Sequence, residues 1–204
     1  MSMDLFEVAL LPSVERLVIH DVGPIRQADV RFSAGLNFIR GEGGSGKTTL
    51  LRSIVVGVCN HLRTCDFLAY ATGTIELEFR SKLTRCHLST ATGPDVMDTN
   101  LAQSGVAVSS GSGAFNSLAQ AIANQTEDFA LLFDELVLGV MDVYLLAQAF
   151  RSLSIAKGQV IGVLPRGFSR RDIEEHNLTA RLIQTKRNPE WPADSSYSIE
   201  TTDI

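Results

Sequence analysis

Residues 36–49 read Leu-Asn-Phe-Ile-Arg-Gly-Glu-Gly-Gly-Ser-Gly-Lys-Thr-Thr. Within them Gly41 to Thr48 satisfy the pattern Gly-x-x-x-x-Gly-Lys-Thr of a phosphate-binding loop. Closely spaced glycines let successive backbone N–H groups point into one concavity, and the lysine reaches terminal phosphates. The threonine hydroxyl is a hard oxygen donor suited to Mg²⁺. A glycine-rich turn arising by chance is the bland alternative, and the flanking sequence argues against it. Leu36–Ile39 reads as a strand entering the loop, and from Thr48 to Leu62 apolar residues recur at helical spacing (Leu51, Ile54, Val55, Val58, Leu62). The order strand, loop, helix puts the loop amides at a helix N-terminus, where the macrodipole favours anions. Gly41, Glu42, Gly43, Gly44, Ser45, Gly46, Lys47, Thr48 and Thr49 are the candidate nucleotide-binding residues. Lys47 is read as an exposed loop side chain whose removal spares the core.

Working outward, Val14–Ile19 and Ala28–Phe32 read as strands, and Thr74–Phe79 with Leu83–Leu88 reads as a hairpin. Residues 91–107 read as loop. Phe115–Asn124 is a helix candidate, and Phe129–Phe133 and Val160–Leu164 are solid apolar runs of the kind buried in parallel sheets. Between them Asp142–Lys157 carries an apolar stripe (Val143, Leu146, Ala147, Phe150, Leu153), with Gly158 placed to end the helix. Ser169 is positioned to cap a short helix through Glu175, and Ala180–Gln184 reads as a last strand. The organisation expected is one domain over residues 1–187 and an acidic C-terminal tail over 188–204.

The chain has 204 residues, 45% hydrophobic and 20% charged, which excludes disordered, collagenous and coiled-coil classes. Its formal net charge of −5 is local in origin: residues 127–142 hold five acids and no base, whereas 14–63 hold seven basic and four acidic side chains. Three cysteines (Cys59, Cys65, Cys86) without C-x-x-C spacing argue against a disulfide framework or a zinc ribbon and for a reducing compartment. Neither a basic-then-apolar export signal nor a continuous apolar span is visible, so the expectation is a cytoplasmic protein with no membrane partner.

Phe129-Ala130-Leu131-Leu132-Phe133-Asp134-Glu135 has the form of a buried strand delivering two acids to its tip. Beside the loop, Asp134 would join Thr48 as a Mg²⁺ ligand, and Glu135 would position water as general base. A solvated acidic turn is the alternative. Val108-Ser109-Ser110-Gly111-Ser112, followed by Leu118-Ala119-Gln120-Ala121-Ile122, would put a serine hydroxyl and glycine amides at a helix N-terminus.

With these three motifs in this order the chain resembles the ABC-type ATPases, and within them the SMC/RecF-like heads of chromosome maintenance and DNA repair. The resemblance covers residues 14–60 and 105–186. It implies an α/β P-loop NTPase fold with an ABC-ATPase-like head: a central, mostly parallel sheet flanked by helices, an N-terminal antiparallel β portion, and a reduced helical lid. It implies ATP and Mg²⁺ as cofactors, Lys47 and Glu135 as catalytic residues, and Thr48 and Asp134 as metal ligands. It also implies a homodimer or heterodimer formed through the nucleotide sites, in which Ser109 and Gly111 of one subunit meet the γ-phosphate held by the other.

Departures from the family pattern are informative. Ser110 and Ser112 replace a glycine and a Gln or Glu of the family signature, and Asp142 falls one residue late for a dimer-contact aspartate, leaving a helix N-cap as an equal reading. Pro165 stands where the family carries its switch histidine, so a γ-phosphate sensor is missing unless Arg166 or a partner supplies the contact. Gln103 is the one glutamine in the interval where a Mg²⁺-sensing glutamine is expected. His20, His61, His87 and His176 read as ordinary surface or core residues.

Lys47 and Asp134 stand 87 positions apart, too few for a long coiled coil or a full helical lid. The resemblance thus implies a minimal ATPase head that acts with a protein partner, with DNA a further candidate through Arg63, Lys82 and Arg85. A catalytically weak ATP-dependent binding module is the main rival. A transporter nucleotide-binding subunit fits the length poorly, and a GTPase lacks its N-K-x-D tetrapeptide.

Overall fold

The computed structural model describes residues 8–59, 72–80, 82–88, 110–168, 170–187 and 197–203. In chain order these form β1 (Val8–Pro12), β2 (Val14–Val22), β3 (Ile25–Arg31), β4 (Leu36–Gly41), α1 (Lys47–Cys59), β5 (Gly73–Phe79) and β6 (Lys82–Leu88). There follow α2 (Gly111–Asn124), β7 (Phe129–Phe133), α3 (Glu135–Gly139), α4 (Val143–Leu153), β8 (Val160–Val163), α5 (Arg170–Glu175), β9 (Ala180–Arg187) and β10 (Tyr197–Asp203).

The apolar runs lie in the middle of a six-stranded sheet of order β1-β7-β8-β4-β9-β10. Its four inner strands are parallel, while β1 and β10 pair antiparallel at the two edges. Side chains alternate faces along each strand, so both faces are apolar and both are covered. Leu11, Ile39, Ala130, Leu132, Ile161, Val163 and Ile183 join one core with α1; Phe38, Leu131, Phe133, Val160 and Leu182 join another with α2, α4 and α5. Gly162 leaves the space into which the Phe133 ring fits on the second face.

A second, four-stranded antiparallel sheet of order β3-β2-β5-β6 lies on the far side of α1. Leu50, Leu51, Ile54, Val55, Val56 and Val58 are all buried, because the helix has a sheet on each side. Helix and hairpin approach closely at Gly57, where an added Cβ would lie 2.9 Å from Cβ of Leu77; Thr84 donates its hydroxyl to the Gly57 carbonyl at 2.9 Å.

Two buried amides join the layers. Asn37 Nδ2 donates to the carbonyls of Ser33, Gly35 and Val160 at 2.9–3.1 Å, and its Oδ1 accepts the Ser33 N–H at 2.8 Å. Gln159 accepts the Val14 N–H and donates to the Val14 and Ser33 carbonyls, all at 2.8 Å. Together they fix the register with which β4 enters the phosphate loop.

The expected parallel sheet, antiparallel portion and flanking helices are thus present. Several details differ. Residues 8–12, without a strand signal in the sequence reading, form β1, whose five side chains are all buried. Residues 197–203, expected in a tail, form β10; its Arg181–Asp203 ion pair at 2.6 Å and Ile199, packed against the first core, hold it to the sheet. α2 starts at Gly111 rather than Phe115, capped by Ser110. α4 stops at Leu153, and Gly158 serves a different purpose from ending it: an added Cβ would lie 2.5 Å from the carbonyl oxygens of Thr126 and Phe129. Ser169, Gln103, Ser109, His61, Arg63, Cys65 and the loop expected at 91–107 lie outside the described residues.

Candidate nucleotide-binding site

β4 ends at Gly41, and the chain then wraps around the N-terminus of α1. Gly44 (φ 73°) and Gly46 (φ 87°) take the left-handed conformation that side chains resist. Gly46 also lies tight against Ile25, whose Cγ1 would be 3.1 Å from an added Cβ. Gly41 has no room for a side chain because Ser45 and Thr185 close over it, their hydroxyls hydrogen-bonded at 2.5 Å. Loop and β9 are thereby tied together. Residues 43–49 line a cavity of about 620 Å³, bordered by Pro24 from the β2–β3 turn and by Glu135 and Arg166 from across the sheet.

Lys47 is not the exposed side chain expected; it retains 5% of its surface. Its Nζ donates to the carbonyls of Gly41 at 3.0 Å and Glu42 at 3.1 Å and lies 3.4 Å from Glu135 Oε2. Three N–H donors thus meet three oxygen partners, and a buried ammonium requires that.

β7 carries both acids to the same place. Asp134 ends the strand and caps α3, accepting the Glu135 N–H at 2.7 Å and the Thr48 hydroxyl at 3.4 Å. Burial pushes its carboxyl above the usual carboxylate range, against the lowering effect of these hydrogen bonds and of Arg52. A neighbouring cavity of about 490 Å³ is lined by Thr48, Arg52, Asp134, Glu135 and the loop after α3. Hydroxyl and carboxylate oxygens adjoining a phosphate-sized hollow suit Mg²⁺, which keeps several waters and shares its shell with substrate phosphates. Among the described residues no cluster of three or more His, Cys, Asp or Glu side chains could hold an ion without such help.

The signature-like segment is seen from Ser110 onward. Ser110 Oγ accepts the Gly113 N–H at 3.2 Å, making Ser110 the cap of α2, and Gly111 lies where an added Cβ would be 2.5 Å from the Val140 carbonyl oxygen. The N-terminus of α2 therefore sits against the loop that follows Glu135. Asp142 Oδ1 accepts the Leu145 N–H at 2.8 Å and caps α4, the second of its two readings. Of the histidines, His176 donates its Nδ1–H to the Asp172 carbonyl at 2.7 Å and packs tilted against Phe150; His20 and His87 lie exposed on the second sheet.

The sequence reading named Arg166 as one source of a γ-phosphate contact, but not its position over the loop. Its guanidinium lies across Gly43, where an added Cβ would meet Nη2 and fall 2.6 Å from Cζ. Its backbone N–H donates to Glu135 Oε1 at 3.4 Å. The second loop glycine, which takes no unusual φ, was the one available signal.

Residues 16–86 match the AAA domain family. The fold is similar to that of an SMC head solved bound to the C-terminal winged-helix domain of ScpA, with TM-score 0.57 and 11% identity over 95% of this chain and 99% of that one. It is similar also to the SMC head domain from Thermotoga maritima, with TM-score 0.53 and 12% identity over 94% and 100%. No curated protein sequence matches the chain. No helix among the described residues is long and apolar enough to cross a membrane. The chain has the α/β P-loop fold of an SMC-like ATPase head, and its residues 16–86 are similar to the AAA domain family.

Proposed function

We propose that the protein binds and hydrolyses ATP at residues 41–49, dimerises head-to-tail on ATP, and serves as a nucleotide switch for a protein partner in the cytoplasm. One observation carries the reading: residues far apart in sequence converge on the loop, Glu135 at 3.4 Å from Lys47 and Asp134 at 3.4 Å from Thr48. Lys47 and the loop amides stabilise charge developing on the transferred phosphoryl group. Mg²⁺, held through Thr48 and Asp134, would neutralise phosphate charge. Glu135 accepts a proton from water as its oxygen bonds to the γ-phosphorus and the bond to the β-bridging oxygen breaks, releasing ADP and phosphate. To do so Glu135 must exchange its contact with Lys47 for one with water.

Support for the dimer comes from exposed apolar side chains, Leu136, Val140, Val143 and Tyr144, clustered around the loop between α3 and α4 beside the N-terminus of α2. In the dimer Ser109 and Gly111 of each subunit close the other's site, and shared ATP couples association to nucleotide state by mass action. The SMC head matched above binds a winged-helix domain; we extend that kind of protein partnership to this chain, with DNA repair or defence as the setting. Of the basic side chains suggested for DNA, Arg85 is already paired with Glu76 at 2.5 Å, which leaves Lys82 and Arg63 as candidates. Pro165 at the position of the switch histidine favours a second reading, in which hydrolysis is slow and ATP-dependent binding is the activity.

The test is phosphate release and molecular mass, with and without ATP, for the native chain and Glu135→Gln. The variant should lose release by about 10²-fold or more while holding the ATP-dependent dimer. Equal background rates in both would remove the enzyme claim.

A further inference from the structure

Arg166 lines two hollows at once: the cavity over the phosphate loop and a larger one, of about 850 Å³, at the C-terminal ends of β4, β8 and β9. Between them the guanidinium lies on the backbone of Gly43, so close that a side chain at residue 43 would have to push it aside. The bare glycine and the arginine therefore form a matched pair. Arg166 is exposed, and its base is held by the Arg166 N–H···Oε1 hydrogen bond to Glu135 and by the fixed ring of Pro165 before it. An always-charged planar fork of N–H donors suits phosphate oxygens.

We propose that Arg166 is the chain's own contact to the terminal phosphate, reaching it over Gly43 and making the site select triphosphate over diphosphate. This rests on the assignment of residues 41–49 to ATP. Of the two sources the sequence left open for that contact, it takes Arg166 over a partner. Glu135, tied to the same backbone, then receives its orientation from the segment that carries the sensor.

The experiment is titration of the full chain with fluorescent ADP and with a fluorescent, slowly hydrolysed ATP analogue, for the native protein, Arg166→Ala, Arg166→Lys and Lys47→Ala. Loss of a charge-assisted contact should cost Arg166→Ala about tenfold or more in analogue affinity, with ADP affinity changed less than twofold. Arg166→Lys should recover part of the loss. A Gly43→Ala variant, which blocks the approach without removing charge, should repeat the selective defect. Equal losses for both nucleotides, or none, would overturn the proposal while Lys47-dependent binding still upheld the loop. Binding that Lys47→Ala leaves intact, or no binding at all, would overturn both.

Discussion

Lys47→Ala separates the two tasks of one side chain. In the structure its ammonium is fully engaged: two carbonyls of its own loop and one carboxylate oxygen, at 3.0, 3.1 and 3.4 Å. Removing it deletes these contacts, but it also deletes the cost of holding a cation at 5% exposure. The partners freed are not stranded, since Glu42 is exposed and Glu135 is partly so. The two effects nearly offset, so folding stability should change by no more than about 1 kcal/mol, or roughly 2–4 °C in melting temperature for a chain this size. Nucleotide affinity is different. Phosphate oxygens replace at least two of the present contacts with shorter, charge-assisted bonds of about 1.5–3 kcal/mol each, of which a share is already spent on the loop. A net loss of about 2–4 kcal/mol follows, a drop in affinity of roughly thirty- to a thousandfold. Thermal melting and titration with a fluorescent ATP analogue measure both quantities on the same sample. Native affinity in the variant, or a fall in melting temperature beyond roughly 8 °C, would refute the assignment of Lys47 as a phosphate ligand held in reserve.

Asp134→Asn should raise the melting temperature of the nucleotide-free protein at neutral pH. Burial makes the ionised carboxyl unfavourable in the folded state; that penalty is absent below the ordinary value of 3.8, grows as pH rises through the raised folded-state value, and is constant above it. The gap between variant and native protein should therefore close on acidification, and a native protein that is the more stable at pH 7 would contradict the desolvation argument. Gln159→Leu strands the Val14 N–H and carbonyl in a buried place, while the Ser33 carbonyl keeps its bond from Asn37, and should cost about 3 kcal/mol, or roughly 6–12 °C in melting temperature; a change under 2 °C would mean that the amide does not join the layers.

What the sequence disclosed follows from how directly each feature depends on local composition. The phosphate loop was legible because its glycines, lysine and threonine are required by backbone geometry and ligand chemistry within eight residues. β7 and β8 were legible because strands buried on both faces must be apolar throughout. β10 was not: Tyr-Ser-Ile-Glu-Thr-Thr-Asp has a single aliphatic side chain, and the strand exists by pairing with β9 and through the Arg181–Asp203 ion pair. β1 was hidden for a related reason, since Val8–Pro12 depends on antiparallel pairing with residues 129–133, more than a hundred positions away. The start of α2 was obscured by Gly111 and Gly113, poor helix formers that are tolerated because Ser110 caps them and Val140 requires the first to be small. At the site, Asp134 and Glu135 were found by their place at the end of an apolar run. The burial of Lys47 and the reach of Arg166 are tertiary facts; the missing histidine at Pro165 pointed to Arg166, but not to its place over Gly43.

Because α1 has a sheet on either side, the two β layers share one helix, and among the described residues no seam runs between them. The same thirteen residues that present amides to a phosphate at one end press Gly57 onto Leu77 and take the Thr84 hydroxyl at the other. Cutting away the antiparallel layer would strip half the cover from that helix and expose apolar side chains of α1 that are now buried. Grip and scaffold must melt together, as a single cooperative unit, and neither can be transplanted without the other.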